Sequence, residues 1–385
     1  MTEHERWMQR CLDLATRGAG HVSPNPLVGA VLVSPDGEVL GEGFHARWGT
    51  PHAEVAAVRD AEARGHGDRL REATLYVNLE PCSHHGKTPP CADLLLERGV
   101  PRVVVAHEDP FPEVAGRGLR RLREAGVDVT VGPLAAAARR LNEAFLRHVA
   151  TGRPLVTLKW AQTLDGQVAT ASGDSRWVSS ERSRALVHRW RAEADAVLVG
   201  AGTARADDPR LTVRHVDGRQ PLRVVLDRTG TLPPSLQVFT DAHAGRTVAV
   251  VGEGARPGYA GAVEAAGGAL LRAPVRQGHL DLGAVLDRLG AGEGLPDGAR
   301  PVQSVLAETG PGLATALLRQ DLADRLFVFI APKVIGRGTP AVESLGAERM
   351  AAARMCTEAT WEPLDPDVLF RGWLRPPPNP LGPLT

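Results

Sequence analysis

Three side chains that lie far apart in the sequence, His52, Cys82 and Cys91, constrain the fold of this chain more than any other feature. One imidazole and two thiolates are a ligand set of catalytic zinc ions whose fourth position holds water. Glu54 follows His52 by two residues, where it could move protons for that water without binding the metal. A His-x-Glu motif followed by Pro-Cys is typical of zinc-dependent deaminases, and such a site requires the three ligand segments to converge.

Other interpretations of these residues remain open. The two cysteines are nine positions apart rather than three, so the match to the deaminase pattern is partial. Cys82 and Cys91 could form a disulfide or be unrelated thiols, although four cysteines in 385 residues without an export signal argue against a disulfide framework. His84 or His85 could replace His52 and leave a structural metal site.

The composition favours a cytoplasmic enzyme that acts on small molecules. A chain of 385 residues is too long for one ordinary core, and a hydrophobic content of 43% suits packed domains. Basic and acidic residues balance at 45 each, without a dense basic run, which argues against a nucleic-acid partner. No apolar run reaches the roughly 18 residues that span a membrane, and the N-terminus lacks the pattern of an export signal. We expect a homo-oligomer, either a dimer or a tetramer.

Strands and helices alternate over residues 1–150, which predicts a domain of helices packed on a mostly parallel sheet. His52 opens a predicted helix, Cys82 follows a strand and Cys91 opens another helix, positions where such folds collect ligands. The predicted helices are 3–17, 52–64, 91–98, 118–125 and 135–148, and the predicted strands are 28–33, 38–43, 74–79, 103–106 and 127–131.

A short breaker at residues 151–154 marks the predicted boundary with a second α/β domain, 151–375. Residues 253–300 are rich in glycine and predict only one helix, and the proline-rich tail at 376–385 is expected to be disordered. The predicted strands are 154–160, 196–200, 223–227, 247–251, 302–307 and 325–330, and the predicted helices are 180–191, 282–289 and 313–319.

Two segments of the second domain could bind a nucleotide, but each has a simpler interpretation. Residues 308–313 join a strand to a helix N-terminus through Gly310 and Gly312, an arrangement whose backbone N–H groups can bind a pyrophosphate. Gly-Pro-Gly is also an ordinary turn. Residues 201–214 are polar and, taken alone, favour a solvated loop.

Eight motifs spread over both halves of the chain carry a family resemblance: 24–29 (PNPLVG), 41–45 (GEGFH), 51–54 (PHAE), 79–91 (LEPCSHHGKTPPC), 159–166 (KWAQTLDG), 172–177 (SGDSRW), 203–214 (TARADDPRLTVR) and 308–312 (ETGPG). Taken together, they resemble the bifunctional riboflavin-biosynthesis deaminase/reductase family. The long loop between the two cysteines is similar to that family and differs from the short loop of nucleoside, transfer-RNA or DNA deaminases.

The resemblance implies an α/β protein in which a three-layer cytidine-deaminase-like domain precedes a dihydrofolate-reductase-like α/β domain. It implies two consecutive steps of riboflavin biosynthesis, the zinc-dependent hydrolytic deamination of a diaminopyrimidinone ribosylamino 5′-phosphate and the reduction of its ribosyl group to ribityl by NADPH. Two alternatives remain, a deaminase of nucleic-acid bases and a single-activity deaminase whose second half is a nucleotide-binding or regulatory module.

The resemblance also implies roles for individual residues. In the first domain, zinc is held by His52, Cys82 and Cys91, Glu54 is the catalytic acid–base, and the substrate contacts are Asn25 and His45. In the second domain, the cofactor contacts are Ala161, Trp177, Thr203, Asp207, Gly310, Pro311, Gly312, Leu313, Ala314, Thr315 and Ala316. The ribose-phosphate substrate contacts there are Ser175, Arg191, Leu211, Arg214 and Glu308.

Arg191 and Arg214 are suited to this role because a guanidinium pairs with a phosphate in bidentate fashion. The alternative for Arg191 is an exposed residue of an arginine-rich helix.

Lysine is rare in this chain, at three of the 45 basic positions. Lysine offers a compact ammonium on a flexible stem, where arginine is planar and bulky. We therefore predict that Lys87 reaches the substrate of the deaminase and that Lys159 lies at the reductase site. Lys333 has no predicted role beyond the end of a strand, and chance placement of all three is the alternative.

Overall fold

The computed structural model describes residues 1–83, 89–111 and 114–375, and the chain divides into two compact units between Thr151 and Gly152. Lys87, His84, His85 and the proline-rich tail lie outside the described residues. Within the described ranges, no helix combines the length and the apolar character needed to cross a membrane.

The described residues of the first unit form a single five-stranded sheet with helices on both faces. Its strands are β1 (Gly29–Val33), β2 (Val39–Phe44), β3 (Thr74–Val77), β4 (Arg102–Val105) and β5 (Asp128–Val131). Its helices are α1 (Glu3–Thr16), α2 (Ala53–Ala63), α3 (Cys91–Glu97), α4 (Arg117–Glu124), α5 (Ala135–Leu141) and α6 (Glu143–Thr151). The strand order is β2-β1-β3-β4-β5, with β1 antiparallel to both neighbours and β3, β4 and β5 parallel.

Strand β1 lies between β2 and β3 and is buried on both faces, which explains its unbroken apolar sequence. Ala30 and Leu32 pack in a core with α2, α3 and α4, while Val31 and Val33 pack in a second core with α1 and α5. The two cores, one on each face of the sheet, confirm the predicted three-layer architecture.

The second unit is built on a larger mixed sheet, which spans nine strands of the described chain. The strands of the second unit, inside and outside this sheet, are β6 (Leu155–Thr163), β7 (Gln167–Thr170), β8 (Ala196–Gly200), β9 (Leu222–Leu226), β10 (Thr247–Gly252), β11 (Ala269–Ala273), β12 (Val275–Arg276), β13 (His279–Leu280), β14 (Ser304–Glu308), β15 (Arg325–Ala331), β16 (Gly338–Pro340), β17 (Thr357–Leu364) and β18 (Asp367–Trp373). Its helices are α7 (Glu181–Glu193), α8 (Ala201–Asp207), α9 (Gln237–Thr240), α10 (Tyr259–Ala265), α11 (Leu282–Ala291) and α12 (Pro311–Arg319).

The order of the large sheet is β11-β10-β9-β8-β14-β6-β15-β18-β17, parallel from β11 to β15 and antiparallel beyond. This places β14 between β8 and β6, so the segments that follow β8 and β14 begin at the same edge of the sheet. Two short pairs, β7 with β16 and β12 with β13, lie outside it.

Two predictions of local structure are corrected, and several elements, β17 among them, were not predicted. The helix predicted at 135–148 is two helices that break at Asn142, whose side chain bonds to the backbone of Leu27. Residues 201–207 form helix α8 rather than a solvated loop. Strand β17 was not predicted because it is exposed along most of its length and therefore shows no buried apolar pattern.

A glycine-to-alanine change tests how closely α1 packs on β1. A Cβ at Gly29 would overlap the Cys11 carbonyl oxygen and lie 2.9 Å from the Ala15 nitrogen, so backbone would have to move. We expect Gly29→Ala to lower the unfolding free energy by about 1–3 kcal/mol, the usual cost of overpacking. Gly67→Ala is the matched control because only a Glu62 side-chain carbon, 3.7 Å away, faces that position. Equal stability of the two variants in urea unfolding would contradict the packing described.

Candidate functional site

The three predicted zinc ligands converge in the first unit. Their ligand atoms, His52 Nδ1, Cys82 Sγ and Cys91 Sγ, all lie within 4.8 Å of one another. His52 Nδ1 is 3.6 Å from Cys82 Sγ and 3.4 Å from Cys91 Sγ. Each of the chain's four cysteines, all in its described part, is a free thiol, so Cys82 and Cys91 are not joined as a disulfide.

Helix starts fix the direction of these ligands. His52 is the N-cap of α2 and its carbonyl accepts the Ala56 N–H, while Cys91 is the first residue of α3. The Cys91 N–H donates to Cys82 Sγ at 3.3 Å, and the Ala92 N–H donates to the Cys82 carbonyl at 3.1 Å. Backbone N–H groups at a helix start favour negative charge nearby, which suits a thiolate ligand.

Hydrogen bonds link the three predicted zinc ligands and shift their pKa values. Bonding to the Cys82 thiol raises the pKa of His52 to about 9. Bonding from Cys91, together with His52, lowers the pKa of the Cys82 thiol, and the same contact raises the pKa of Cys91. The two sulfur atoms and the imidazole nitrogen lie at a spacing that fits a zinc ion. Zinc binds these atoms in their deprotonated forms, through the lone pairs that here take part in hydrogen bonds.

Glu54 is buried beside these ligands, on the first turn of α2. Burial and, to a smaller extent, the charge of Cys82 together raise the pKa of this carboxyl to about 7. A carboxyl group with a pKa near neutrality can both accept and return a proton, which is what a general acid–base requires.

Asn25 and His45 form one polar pair next to the ligands. Asn25 Nδ2 lies 3.1 Å from His45 Nε2, and His45 Nδ1 lies 3.1 Å from the Pro51 carbonyl oxygen. Burial lowers the pKa of His45, which favours the neutral ring. The neutral ring then donates from Nδ1 to Pro51 and accepts the Asn25 amide at Nε2. The His45 ring lies edge-on to the His52 ring at 5.4 Å between centroids, so the pair borders the metal ligands.

Two further acidic groups near this site were not predicted as functional. The buried Glu80 carboxylate accepts the backbone N–H groups of Asp109, Gly116, Gly118 and Leu119 at 2.8–3.2 Å. Burial, together with the charges of Glu80 and Cys82, raises the pKa of Asp109 to about 7. A polar run directly after a parallel strand, here β4, was the available signal for Asp109.

In the second unit, a largely buried ion pair joins Arg191 to Glu308. Arg191 Nε and Nη2 donate to the two carboxylate oxygens at 2.5 and 2.9 Å, and Nη1 donates to the Thr212 carbonyl at 3.1 Å. Lys159 lies opposite Glu308 in the pairing of β6 with β14, with its ammonium 5.7 Å from the Phe329 ring centroid. The structure therefore brings together three of the predicted substrate contacts.

The charges of this cluster are interdependent. Burial raises the pKa of Glu308, but the Arg191 guanidinium and the Lys159 ammonium outweigh it and lower the value to about 2. Burial lowers the pKa of Lys159, and Glu308 opposes that shift. The carboxylate is thus held ionised between two cations.

The remaining predicted substrate contacts differ in what they expose. Arg214 is exposed, and its Nη1 donates to the Thr212 hydroxyl at 2.8 Å. The Leu211 side chain is buried in the core, so this residue offers its backbone rather than its side chain. Ser175 is partly exposed, and its carbonyl accepts the Val178 N–H.

The two predicted nucleotide segments meet at the starts of α8 and α12. A Cβ at Gly310, the N-cap of α12, would lie 3.1 Å from the Thr203 hydroxyl of α8. The neighbouring Thr309 hydroxyl is buried without a hydrogen-bond partner among the described residues. Gly312 is exposed and has open space where a side chain would lie. This close-packed, uncapped helix start fits a phosphate-containing cofactor.

Not all of the predicted segment 310–316 is available for such contacts. Ala314 and Thr315 are buried, and the Thr315 hydroxyl donates to the Pro311 carbonyl and accepts the Glu343 N–H. Pro311, Leu313 and Ala316 are partly exposed. The exposed surface of the segment is therefore centred on Gly312.

Trp177 and Lys333 lie together. The Trp177 ring is 61% exposed with the Arg184 guanidinium 4.5 Å from its centroid, and Lys333 Nζ donates to the Trp177 carbonyl at 2.5 Å. Lys333 thus does more than end a strand. Asp207 is exposed and Ala161 partly exposed; burial raises the pKa of Asp207, and Arg176 opposes that rise.

Comparison with known proteins agrees with this division into two sites. The family model of the cytidine and deoxycytidylate deaminase zinc-binding region matches residues 1–107, and that of the RibD C-terminal domain matches residues 154–370. The riboflavin biosynthesis protein RibD of Escherichia coli is 41% identical over 381 residues, which cover 95% of this chain and 98% of the relative.

Solved structures match over the same extent. RibD of Acinetobacter baumannii is 36% identical and superimposes with a TM-score of 0.85, covering 96% of this chain and 98% of that one. The diaminohydroxyphosphoribosylaminopyrimidine deaminase/5-amino-6-(5-phosphoribosylamino)uracil reductase of Thermotoga maritima is 36% identical with a TM-score of 0.80, covering 97% and 98%.

The fold and the two sites define an enzyme that joins a zinc-dependent deaminase domain to an NADPH-dependent reductase domain. The chain belongs to the RibD family of bifunctional deaminase/reductase enzymes in riboflavin biosynthesis. This confirms the family that the sequence motifs indicate, together with the predicted fold class and cofactors.

Removing one sulfur ligand tests the metal site. We expect Cys82→Ser and Cys91→Ser to lose bound zinc, because a hydroxyl is a much poorer ligand for zinc than a thiolate. Glu54→Gln should retain zinc because Glu54 is not among the converging ligands. Cys356→Ser, in the second unit, is the matched control. Full zinc content in both site variants by elemental analysis would contradict the assignment.

Acid titration tests the charge cluster of the second unit. The pKa of Glu308 in the folded protein, about 2, lies below its ordinary value of 4.5. Its contribution to stability is therefore fully present above about pH 4.5 and is lost as the pH falls towards 2. We expect the difference in unfolding free energy between wild type and Glu308→Gln to shrink by up to about 3 kcal/mol over that range. A difference that stays constant from pH 6 to pH 3 in urea unfolding would show that Glu308 is not held ionised.

Proposed function

We propose that this chain catalyses two consecutive reactions on one pyrimidine. The first unit hydrolyses the 2-amino group of 2,5-diamino-6-ribosylamino-4(3H)-pyrimidinone 5′-phosphate, and the second reduces the ribosyl group of the product to ribityl. The observation that carries the proposal is the convergence of His52, Cys82 and Cys91 beside the buried Glu54. The substrate named for the Thermotoga maritima relative supports the choice of pyrimidine.

In the first unit, Glu54 moves the protons of the deamination. When bound, zinc lowers the pKa of a coordinated water towards neutrality. Glu54 takes a proton from the attacking water and gives one to the departing nitrogen, which leaves as ammonia. Asn25 and His45 orient the pyrimidine ring through their polar edges. Lys87 is proposed to reach the substrate as well, and it lies outside the described residues.

In the second unit, charged groups hold the sugar phosphate against the cofactor. NADPH supplies the hydride for the ribosyl carbon. Lys159 and Glu308 lie opposite each other on neighbouring strands, which supports the proposal that they bind the sugar hydroxyl groups. All three guanidinium nitrogens of Arg191 donate hydrogen bonds, two to Glu308 and one to Thr212, so we propose that Arg191 holds Glu308 in place. We propose that the exposed Arg214 binds the phosphate. Thr203, Asp207, Ala161, Trp177 and the surface around Gly312 are proposed to contact the cofactor.

The proposal includes the expected setting of the enzyme. The substrates are free pyrimidine phosphates rather than nucleic acids, the location is the cytoplasm, and the protein is a homo-oligomer, either a dimer or a tetramer.

Two variants should separate the activities. Glu54→Gln is expected to abolish ammonia release from the diaminopyrimidine while NADPH oxidation with the deaminated pyrimidine continues. Lys159→Arg is expected to lower kcat/KM of reduction by about 10- to 100-fold and to spare deamination, because a bulky planar guanidinium cannot replace the compact ammonium beside Phe329 and Glu308.

Lys333→Arg is the matched control for the second variant, because an arginine can still donate to the exposed Trp177 carbonyl. NADPH oxidation that does not depend on the deaminated pyrimidine would instead favour a single-activity deaminase with a binding or regulatory module. Wild-type reduction by Lys159→Arg would remove Lys159 from the reductase site.

A further inference from the structure

Asn142 lies at the break between α5 and α6 and pairs with the backbone of a segment 115 residues earlier in the chain. The Leu27 N–H donates to Asn142 Oδ1 at 2.7 Å, and Asn142 Nδ2 donates to the Leu27 carbonyl at 3.0 Å. Asn142 is only 3% exposed. A side-chain amide that bonds both polar groups of one residue fixes the orientation of the backbone on either side of it.

A second buried amide, Asn78, completes this hold on the same segment. Asn78 Nδ2 donates to the Leu27 carbonyl at 2.9 Å, and Asn78 Oδ1 accepts the Gly29 N–H at 2.8 Å. Leu27 and Gly29 are therefore bound by two asparagines from different parts of the unit. We call these four hydrogen bonds the asparagine clamp.

The asparagine clamp lies directly after the residue that faces the deaminase site. Asn25 precedes Leu27 by two positions, and Pro26 between them has a fixed φ and no N–H group. The orientation of the Leu27 backbone therefore limits the direction in which the Asn25 side chain leaves the chain. Asn25 Nδ2 in turn contacts His45 Nε2, whose ring borders the metal ligand His52.

We propose that Asn142 is a positioning residue of the deaminase site, which sets the Leu27 backbone and through it the Asn25 amide that orients the pyrimidine. The inference rests on the proposed function of the first unit. Asn142 lies outside residues 1–107, which match the zinc-binding region, so the helix pair that closes the unit takes part in substrate recognition.

Asn142→Ala tests the proposal in the full-length chain. Truncation leaves the Leu27 N–H without its partner, although the Leu27 carbonyl keeps Asn78. We expect full zinc content, unchanged NADPH oxidation with the deaminated pyrimidine, and a KM for deamination raised by on the order of tenfold, with a smaller effect on kcat.

A double-mutant cycle with Asn25→Ala separates positioning from a direct or merely structural role. If Asn142 acts through Asn25, the double variant should have the KM of Asn25→Ala alone. Leu146→Ala is the control for loss of stability, because Leu146 is a buried residue of α6 that the clamp does not use. It should lower the melting temperature and leave the KM unchanged.

Asn142→Asp carries the test if the alanine variant does not fold. Its carboxylate can still accept the Leu27 N–H but cannot donate to the Leu27 carbonyl, so we expect a smaller rise in KM. An unchanged KM in Asn142→Ala, fully additive effects in the cycle, or an equal rise in Leu146→Ala would each overturn the proposal. A wild-type protein that binds zinc but releases no ammonia from the diaminopyrimidine would instead contradict the function proposed for the first unit.

Discussion

The convergence of one imidazole and two thiols is the constraint on which the first unit depends. Cys82 follows β3 and its sulfur accepts the Cys91 N–H at the start of α3, while His52 caps α2. Packing of α2 and α3 in the apolar core on one face of the sheet holds the starts of both helices in place. The apolar core therefore determines the direction of the ligands. The position of Glu54 is fixed in the same way, because Glu54 lies on the first turn of α2, directly after its N-cap His52.

The second unit depends on a different feature, a cluster of charged side chains that are largely removed from solvent. Lys159 and Glu308 face each other across neighbouring strands, and Arg191 holds both carboxylate oxygens of Glu308. Desolvation of such groups is expensive, and a buried pair is tolerated only when its partners are well placed. Under the proposed function, Lys159 and Glu308 would bind the hydroxyl groups of the substrate, a role that stability alone does not require.

Much of this could be predicted from the sequence because the signals are local. A helix that starts near His52, a strand before Cys82 and a helix that starts at Cys91 all follow from short apolar patterns and breakers, and the structure confirms them. The break at Asn142 could not be predicted, because the reason for it is a contact with Leu27, 115 residues away. Strand β17 was not predicted for a local reason, because it is largely exposed and has no pattern of buried apolar residues.

The partners of individual charges were also beyond the sequence. The arginine-rich sequence around Arg191 suggests an exposed position on a helix, yet its guanidinium donates hydrogen bonds to Glu308 and Thr212. Glu80 belongs to a motif that suggests only family membership, and its four backbone partners lie in a segment about 30–40 residues further along the chain. Long-range pairing of this kind depends on how elements that are distant in the sequence pack together, which local patterns do not encode.

The most direct test of the account is the coordination of zinc in the purified wild-type protein. X-ray absorption at the zinc edge measures the identity and distance of the ligand atoms. We predict two sulfur neighbours at about 2.3 Å and two nitrogen or oxygen neighbours at about 2.0–2.1 Å, for Cys82, Cys91, His52 and one water. Four sulfur neighbours, or a shell without sulfur, would contradict the site from which the deaminase function is argued.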